Sequence, residues 1–147
     1  MVVNCNVCVN IEPMVTVPIG ASAELKLLVT GEYAVDFLGD DAARVLGTPF
    51  LIAHLEMASR NAARDHLEPG YDTVGTIVSV RHLAATPLGM SVSFHAEVTG
   101  VDGRRISYKV WAVDEQEKIA EGRHERFVIN VKRFGERLRA KANAPRG

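Results

Sequence analysis

The stretch that decides the fold is residues 49–66, PFLIAHLEMASRNAARDH. Thr48 and Pro49 in front of it and EPG at residues 68–70 behind it predict a helix over residues 49–66. A hydroxyl at the N-cap satisfies a free backbone amide, and proline is tolerated at the first helical position. The first half of this helix is apolar on nearly every side, which is typical of a helix covered all round by other structure.

One carboxylate interrupts the apolar run. Glu56 is the only acidic residue between residues 42 and 64. Acidic side chains are almost never fully buried unless they are paired. Two interpretations follow. Glu56 either pairs with an arginine from a strand, such as Arg81 or Arg126, or its burial is functional, because a desolvated carboxylate is a stronger base and nucleophile.

After the helix the period of the apolar residues changes from 3.6 to 2. This pattern predicts strands at residues 73–83, 90–101 and 119–131, and a hairpin turn at residues 102–103 that leads into a further strand. A less regular strand, or a pair of strands, precedes the helix. The fold class is therefore α+β. A helix apolar on all sides favours a hot-dog fold, a curved antiparallel β-sheet wrapped around one long central helix, as one candidate of this class.

The composition indicates one domain. The chain has 147 residues, 47% of them hydrophobic, and a net charge of −1. We expect an N-terminal extension at residues 1–14 and a single domain at residues 15–147. The balanced charge gives no reason to expect nucleic acid as a partner. No apolar run approaches the roughly 18 residues of a membrane span, so we expect a cytoplasmic protein that does not bind membranes.

Cys5 and Cys8 form a C-x-x-C pair at the N-terminus. A redox pair or half of a zinc site would have this spacing, but the sequence has no second pair. We therefore predict no metal site and no cofactor.

Three motifs in order carry a family resemblance: TPF at residues 48–50 with Glu56 eight residues after the threonine, GTIVSVRH at residues 75–82 followed by AATP, and GRHER at residues 122–126. Together they resemble the acyl-CoA thioesterases of the hot-dog superfamily, in particular the fluoroacetyl-CoA thioesterase group. The resemblance extends from about residue 15 to the C-terminal helix.

The resemblance implies a homodimer that hydrolyses an acyl-CoA thioester, with a dimer of dimers left open. It places Thr48, Glu56 and His82 in catalysis and Gly75 and Phe50 at the substrate. In one respect the chain differs from the fluoroacetyl-specific enzyme, which has phenylalanines before the catalytic threonine. Residues 39–47, GDDAARVLG, contain no aromatic side chain. The acyl group therefore stays open, as does the choice between coenzyme A and a carrier protein.

The chemistry of these residues fits thioester hydrolysis. Glu56 can attack the thioester or activate water, His82 can move a proton near neutral pH, and the Thr48 hydroxyl can orient either one. The first helical turn can also donate amides to an oxyanion. Eight residues along an ideal helix separate Thr48 from Glu56 by roughly 12 Å, too far for direct contact. A site shared between two subunits would relax this constraint.

Arg126 lies on the last predicted strand, close to a C-terminal stretch with six basic residues and one acid in residues 132–147. It can bind the phosphates of coenzyme A, or it can simply lie on a solvated face. Two other functions remain as alternatives. A non-catalytic acyl-CoA-binding module would not need both Glu56 and His82. A hot-dog hydratase or dehydratase would have its histidine before the helix, and no histidine precedes His54.

Overall fold

The structure is a computed structural model that describes residues 15–37 and 39–147. Cys5, Cys8 and the rest of residues 1–14 lie outside the described residues, so the division into an extension and one domain stays a prediction. Within the described ranges, no group of three or more His, Cys, Asp or Glu side chains is arranged so that it could hold a metal ion. Neither of the helices within those ranges has the length and apolar character needed to cross a membrane.

Two α-helices and five long strands form most of the described part of the chain. The helices are α1 at Thr48–Arg64 and α2 at Val131–Asn143. The elements before α1 are β1 at Ser22–Leu28 and two short strands, β2 at Ala34–Val35 and β3 at Val45–Leu46. The strands after α1 are β4 at Tyr71–His82, β5 at Ser91–Asp102, β6 at Arg105–Asp114 and β7 at Lys118–Asn130. The predicted helix and the strands after it are confirmed to within two residues.

The five long strands form one antiparallel sheet in the order β1-β5-β6-β7-β4. Alternate residues of its central strands build the core because successive side chains of a strand point to opposite faces. These buried residues are Val92, Phe94, Ala96 and Val98 on β5 and Ile106, Tyr108, Val110 and Ala112 on β6. Helix α1 contacts all five strands. The predicted α+β class is therefore confirmed.

The expectation that α1 is covered on every side is wrong for the single chain. Its buried residues form one stripe that faces the sheet: Leu51, Leu55, Ala58, Ser59, Ala62 and Ala63. Phe50 and Met57 point away from that stripe and are exposed. The first half of the helix has more apolar residues than one sheet face can cover, and the excess remains on the outer side.

The strand β4 is at an edge of the sheet. Within the described part of the chain β4 pairs with β7 alone, and residues 75–79 are exposed in succession. The register of the β4–β7 pair shifts between Gly75 and Ile77, which indicates a β-bulge there. Both Gly75 and His82 belong to this edge strand, so the edge carries two of the predicted site residues.

Candidate active site

Thr48 and His82 contact each other directly. The Thr48 Oγ1 atom is 2.8 Å from His82 Nδ1. Thr48 is the first residue of α1 and His82 is the last residue of β4. The segment before α1 is tied to the loop after β4, because Leu46 donates to the Thr86 carbonyl. This link brings the start of the helix to the end of the strand.

The prediction that Thr48 caps the helix is wrong. Gly47 is the N-cap and no side chain caps this end. The Thr48 hydroxyl is instead engaged by His82. Pro49 has no N–H, and the amides of Phe50 and Leu51 both donate to the Gly47 carbonyl. Among the described residues, the first turn therefore offers an oxyanion one backbone donor, the Thr48 N–H.

The ring of His82 favours its neutral form. Burial lowers the pKa of His82, and a hydrogen bond with the Ala84 backbone opposes this effect. A neutral imidazole has one nitrogen that accepts a hydrogen bond. In the neutral tautomer that carries its proton on Nε2, the Thr48 hydroxyl donates to Nδ1. This is the arrangement in which a histidine can take a proton from a hydroxyl.

Glu56 lies in the middle of α1 and is less buried than the sequence suggested, because 41% of its side chain is exposed. Its Oε2 atom is 3.8 Å from Arg126 Nη1. The alternative in which an arginine pairs with Glu56 therefore describes a real contact. The carboxylate is not sealed by this contact, since its exposed part remains free to meet a ligand.

Gly75 is the point of β4 that approaches Glu56. An ideal Cβ built at Gly75 would lie 3.2 Å from Glu56 Oε1 and 3.1 Å from the Cε1 atom of His124. A methyl group does not fit at these distances without a shift of its neighbours. The glycine therefore lets a carboxylate and an imidazole approach the strand backbone together.

Arg126 is buried, and this does not fit the predicted contact with coenzyme A phosphates. Its Nε atom donates to Thr73 Oγ1 at 2.7 Å and its Nη2 atom donates to the Thr73 carbonyl at 2.8 Å. Its Nη1 atom faces both Glu56 and the Nε2 atom of His124, which is 3.2 Å away. The donors of Arg126 are thus directed into the protein, toward the carboxylate that α1 supplies.

Two residues of this cluster were missed from the sequence, Thr73 and His124. Both are buried. A usable signal was present in the GRHER motif, where His124 and Arg126 are two residues apart on a predicted strand and therefore share one face. Since alternate residues of that strand are apolar and inward, the shared face was the core face.

Phe50 lies beside Thr48 at the start of α1. Its ring meets the ring of Tyr33 edge-on, with centroids 5.7 Å apart. His54, one turn further, donates a 2.7 Å hydrogen bond from Nδ1 to the Phe50 carbonyl, because a carbonyl oxygen can only accept. The ring of His54 also stacks on Phe94. These contacts agree with a structural role for His54.

The structure brings the predicted site residues together in two groups, not one. Thr48 contacts His82 at the C-terminal end of β4, and Glu56 lies beside Gly75, nearer the start of that strand. The two helix positions are eight residues apart, which is roughly 12 Å of helix rise. A surface depression of about 770 Å³ is lined by other residues, among them Trp111, and includes none of these four.

Comparison with known proteins identifies the relatives of this chain. Residues 29–132 match the model of the fluoroacetyl-CoA-specific thioesterase family, FlK. The chain belongs to this family. The family's match spans β2 to the start of α2 and includes both groups of site residues.

Three relatives illustrate the similarity. The fluoroacetyl-CoA thioesterase of Streptantibioticus cattleyicolor is 41% identical over 100 residues, which are 68% of this chain and 72% of that protein. A fluoroacetyl-CoA thioesterase variant with serine in place of a threonine, solved with acetyl-CoA, is 32% identical with a TM-score of 0.77 and covers 84% of this chain and 98% of its own. A hot-dog-like protein from Thermanaerovibrio acidaminovorans shares the fold at 22% identity, with a TM-score of 0.77 and coverage of 88% and 95%. The predicted hot-dog fold is confirmed.

Proposed function

We propose that Thr48, Glu56 and His82 hydrolyse a short acyl-CoA thioester to the free acid and coenzyme A. By family membership the protein is an acyl-CoA thioester hydrolase. The assignment of the three residues is carried by one observation, the 2.8 Å hydrogen bond between Thr48 Oγ1 and His82 Nδ1. A hydroxyl bonded to a neutral imidazole is prepared to lose its proton or to orient a water molecule that loses one.

Each residue has a role in a balanced reaction. Water supplies the oxygen that bonds to the acyl carbon, the carbon–sulfur bond breaks, and the proton that the water loses reaches the departing thiolate through His82, which Thr48 orients. Glu56 either activates that water or attacks the carbonyl to give an anhydride that water then opens. Both routes yield the same acid and thiol. The Arg126 guanidinium lies 3.8 Å from the Glu56 carboxylate and places a positive charge beside the group that both routes use.

A homodimer would unite the two groups of residues. The edge strand β4 exposes Ile77 and Val78. Unpaired apolar edges invite pairing with another strand. We infer that two copies pair antiparallel through β4, with the two-fold axis at Ser79. If the extra residue of the bulge between Gly75 and Ile77 is left out of the count, Gly75 lies three positions before that axis and His82 three positions after it, so Gly75 would pair with His82 of the partner subunit.

This pairing would make each active site composite. Glu56 contacts Gly75, so it would approach the Thr48 and His82 side chains of the partner subunit. The exposed side of α1, with Phe50 and Met57, lies beside the same edge and would contribute to the interface. Phe50 and Gly75 would then line the acyl group.

A mixing experiment tests the composite site. Thr48→Val and Glu56→Gln variants are each purified, unfolded or dissociated, and reassembled together. In a shared site the mixed dimer keeps one site with both residues intact, so about a quarter of the native activity should return after random mixing. Recovery of no activity above that of the separate variants, with mixed dimers shown by mass spectrometry, would place each site within one chain.

The activity itself is tested by release of free thiol from a panel of short, branched, aromatic and fluorinated acyl-CoAs. Native protein is compared with Glu56→Gln, and with Glu24→Gln as a matched control on the opposite edge strand β1. We expect turnover of at least one short thioester that falls by about 10²-fold or more in Glu56→Gln and stays unchanged in the control. Binding of acyl-CoA without thiol release would instead identify a binding module. The cytoplasmic location and a dimer of dimers stay predictions.

A further inference from the structure

His124 is a buried titratable side chain that the proposed reaction does not use. It projects from β7 between Gly75 on β4 and Tyr108 on β6. The Tyr108 and His124 ring centroids are 6.0 Å apart, and the His124 Cε1 atom is 3.1 Å from the ideal Cβ position at Gly75. The imidazole therefore has little room to change its orientation.

The hydrogen bonds of His124 define its protonation. Its Nδ1 atom is 2.8 Å from the Ile77 carbonyl, which can only accept, so Nδ1 carries a proton. Its Nε2 atom is 3.2 Å from Arg126 Nη1, which can only donate, so Nε2 carries none. The ring is thus neutral. Burial lowers the pKa of His124 and the nearby Arg126 charge lowers it further, against the opposing effects of the Ile77 carbonyl and Glu56.

The guanidinium of Arg126 is held from two sides. Thr73 accepts from Nε and Nη2, and His124 accepts from Nη1. The planar group has fixed donor directions, so these three bonds determine its orientation. In that orientation the same Nη1 atom lies 3.8 Å from the Glu56 carboxylate. His124 therefore influences where the charge that faces Glu56 is placed.

We propose that His124 is a positioning residue for Glu56 and acts through Arg126. As a neutral ring with its proton on Nδ1, it holds the guanidinium against the carboxylate. This inference rests on the proposed role of Glu56. The inference goes beyond that role because it makes catalysis depend on the protonation state of a histidine that does not touch the substrate.

Protonation of His124 at acidic pH should disturb its contact with Arg126. A proton on Nε2 would face the Nη1 donor of Arg126, and two positive charges would lie in contact. The other charged or titratable groups that face the ring are Glu56 on α1 and Tyr108 on β6. Burial raises the pKa of Tyr108 to about 12, so it stays neutral and offers no compensating charge. Glu56 is partly exposed, so solvent weakens its attraction to the new charge.

The tautomer is tested first, on the native protein. Long-range proton–nitrogen correlation spectra of the histidine rings distinguish Nδ1–H, Nε2–H and doubly protonated imidazole. His124 is assigned by its disappearance in His124→Gln. We expect the neutral Nδ1–H form at pH 7. The Nε2–H form, or a charged ring, would overturn the proposal because neither can accept from Arg126.

Kinetics test the positioning role. His124→Leu removes the acceptor, whereas His124→Gln keeps both a donor toward Ile77 and an acceptor toward Arg126. We expect kcat to fall about tenfold in His124→Leu with KM within about twofold, and His124→Gln to recover most of the loss. His95→Leu is the matched control, because His95 stacks on Trp111 elsewhere in the sheet. Equal losses in the leucine and glutamine variants would overturn the proposal.

A double-mutant cycle separates positioning from a loss of stability. In an Arg126→Lys background the fork that His124 orients is absent, so adding His124→Leu should lower kcat no further. If the double variant instead loses kcat by the product of the two single factors, His124 acts independently of Arg126 and the proposal is overturned. If Glu56→Gln keeps full activity, both the proposed function and this inference fail. If Glu56→Gln is inactive and His124→Leu is fully active, this inference alone fails.

Discussion

Gly75→Ala is the substitution that most directly tests the geometry of the site. The new Cβ would lie 3.1 Å from His124 Cε1, 3.2 Å from Glu56 Oε1 and 3.3 Å from Glu56 Cδ. Each contact requires a shift of a few tenths of an ångström. His124 is held by hydrogen bonds, while the Glu56 side chain is partly exposed and free to yield. We therefore expect the carboxylate to move away from Arg126.

The expected magnitude follows from the size of that shift. A displacement of about 1 Å can cost 10²-fold in rate, so a few tenths of an ångström should lower kcat/KM by about tenfold, or about 1.4 kcal/mol. Stability should change less, because the reduced freedom of the unfolded chain in a Gly→Ala change contributes about 0.4–1 kcal/mol in favour of folding. Gly75→Ala should therefore lose activity while its stability changes less.

Thiol release and thermal unfolding are measured on Gly75→Ala beside Gly100→Ala. An alanine at Gly100 would meet only Ser107 Cβ, at 4.0 Å, which is an ordinary contact. The control should keep native activity. Native activity in Gly75→Ala would refute the close approach of Glu56 to β4. A loss of activity matched by a large fall in Tm would show that the glycine serves packing and not the site.

Three further predictions concern other contacts. Thr48→Val should lower kcat by about 10²-fold while Thr48→Ser retains most of it, because only the hydroxyl reaches His82; equal kcat in all three proteins would contradict this. Tyr108→Phe should raise the free energy of unfolding in urea by about 1 kcal/mol, because no described group pairs with the buried Tyr108 hydroxyl; a decrease would show that it has a partner. Burial lowers the pKa of His82 and of His124, so the unfolded chain binds more protons than the folded protein. Stability should be full above about pH 6.5 and fall on acidification below it, and a Tm that stays level down to about pH 5.5 would contradict this.

The sequence was sufficient for the elements that local periodicity defines. Alternation of apolar residues predicted the strands β5 and β6 correctly, and proline and glycine at residues 69–70 marked the end of the helix. The start of the helix was located correctly but its chemistry was not. An N-terminal threonine can cap the helix or bond elsewhere, and the choice depends on His82, which is 34 residues away.

The environment of Glu56 required the tertiary structure. Apolar neighbours in sequence suggested burial, but a helix on a sheet buries only one side, and Glu56 lies at the margin of that side. Arg126 was predicted to contact coenzyme A phosphates, and its burial does not fit that contact. His124 was missed because its spacing from Arg126 places both residues on one face of β7 but does not reveal its neighbours on β4, Gly75 and Ile77.

The two edges of the sheet differ in a way that limits how copies can associate. The edge strand β1 carries Glu24 and Lys26 on its exposed face, and charges of this kind discourage strand addition. The β4 edge has apolar Ile77 and Val78 exposed. A sheet extends from molecule to molecule into a fibre only if both of its edges can pair with a strand of another molecule. The long sheet of the described residues presents one such edge, so we expect association through it to end at a closed pair.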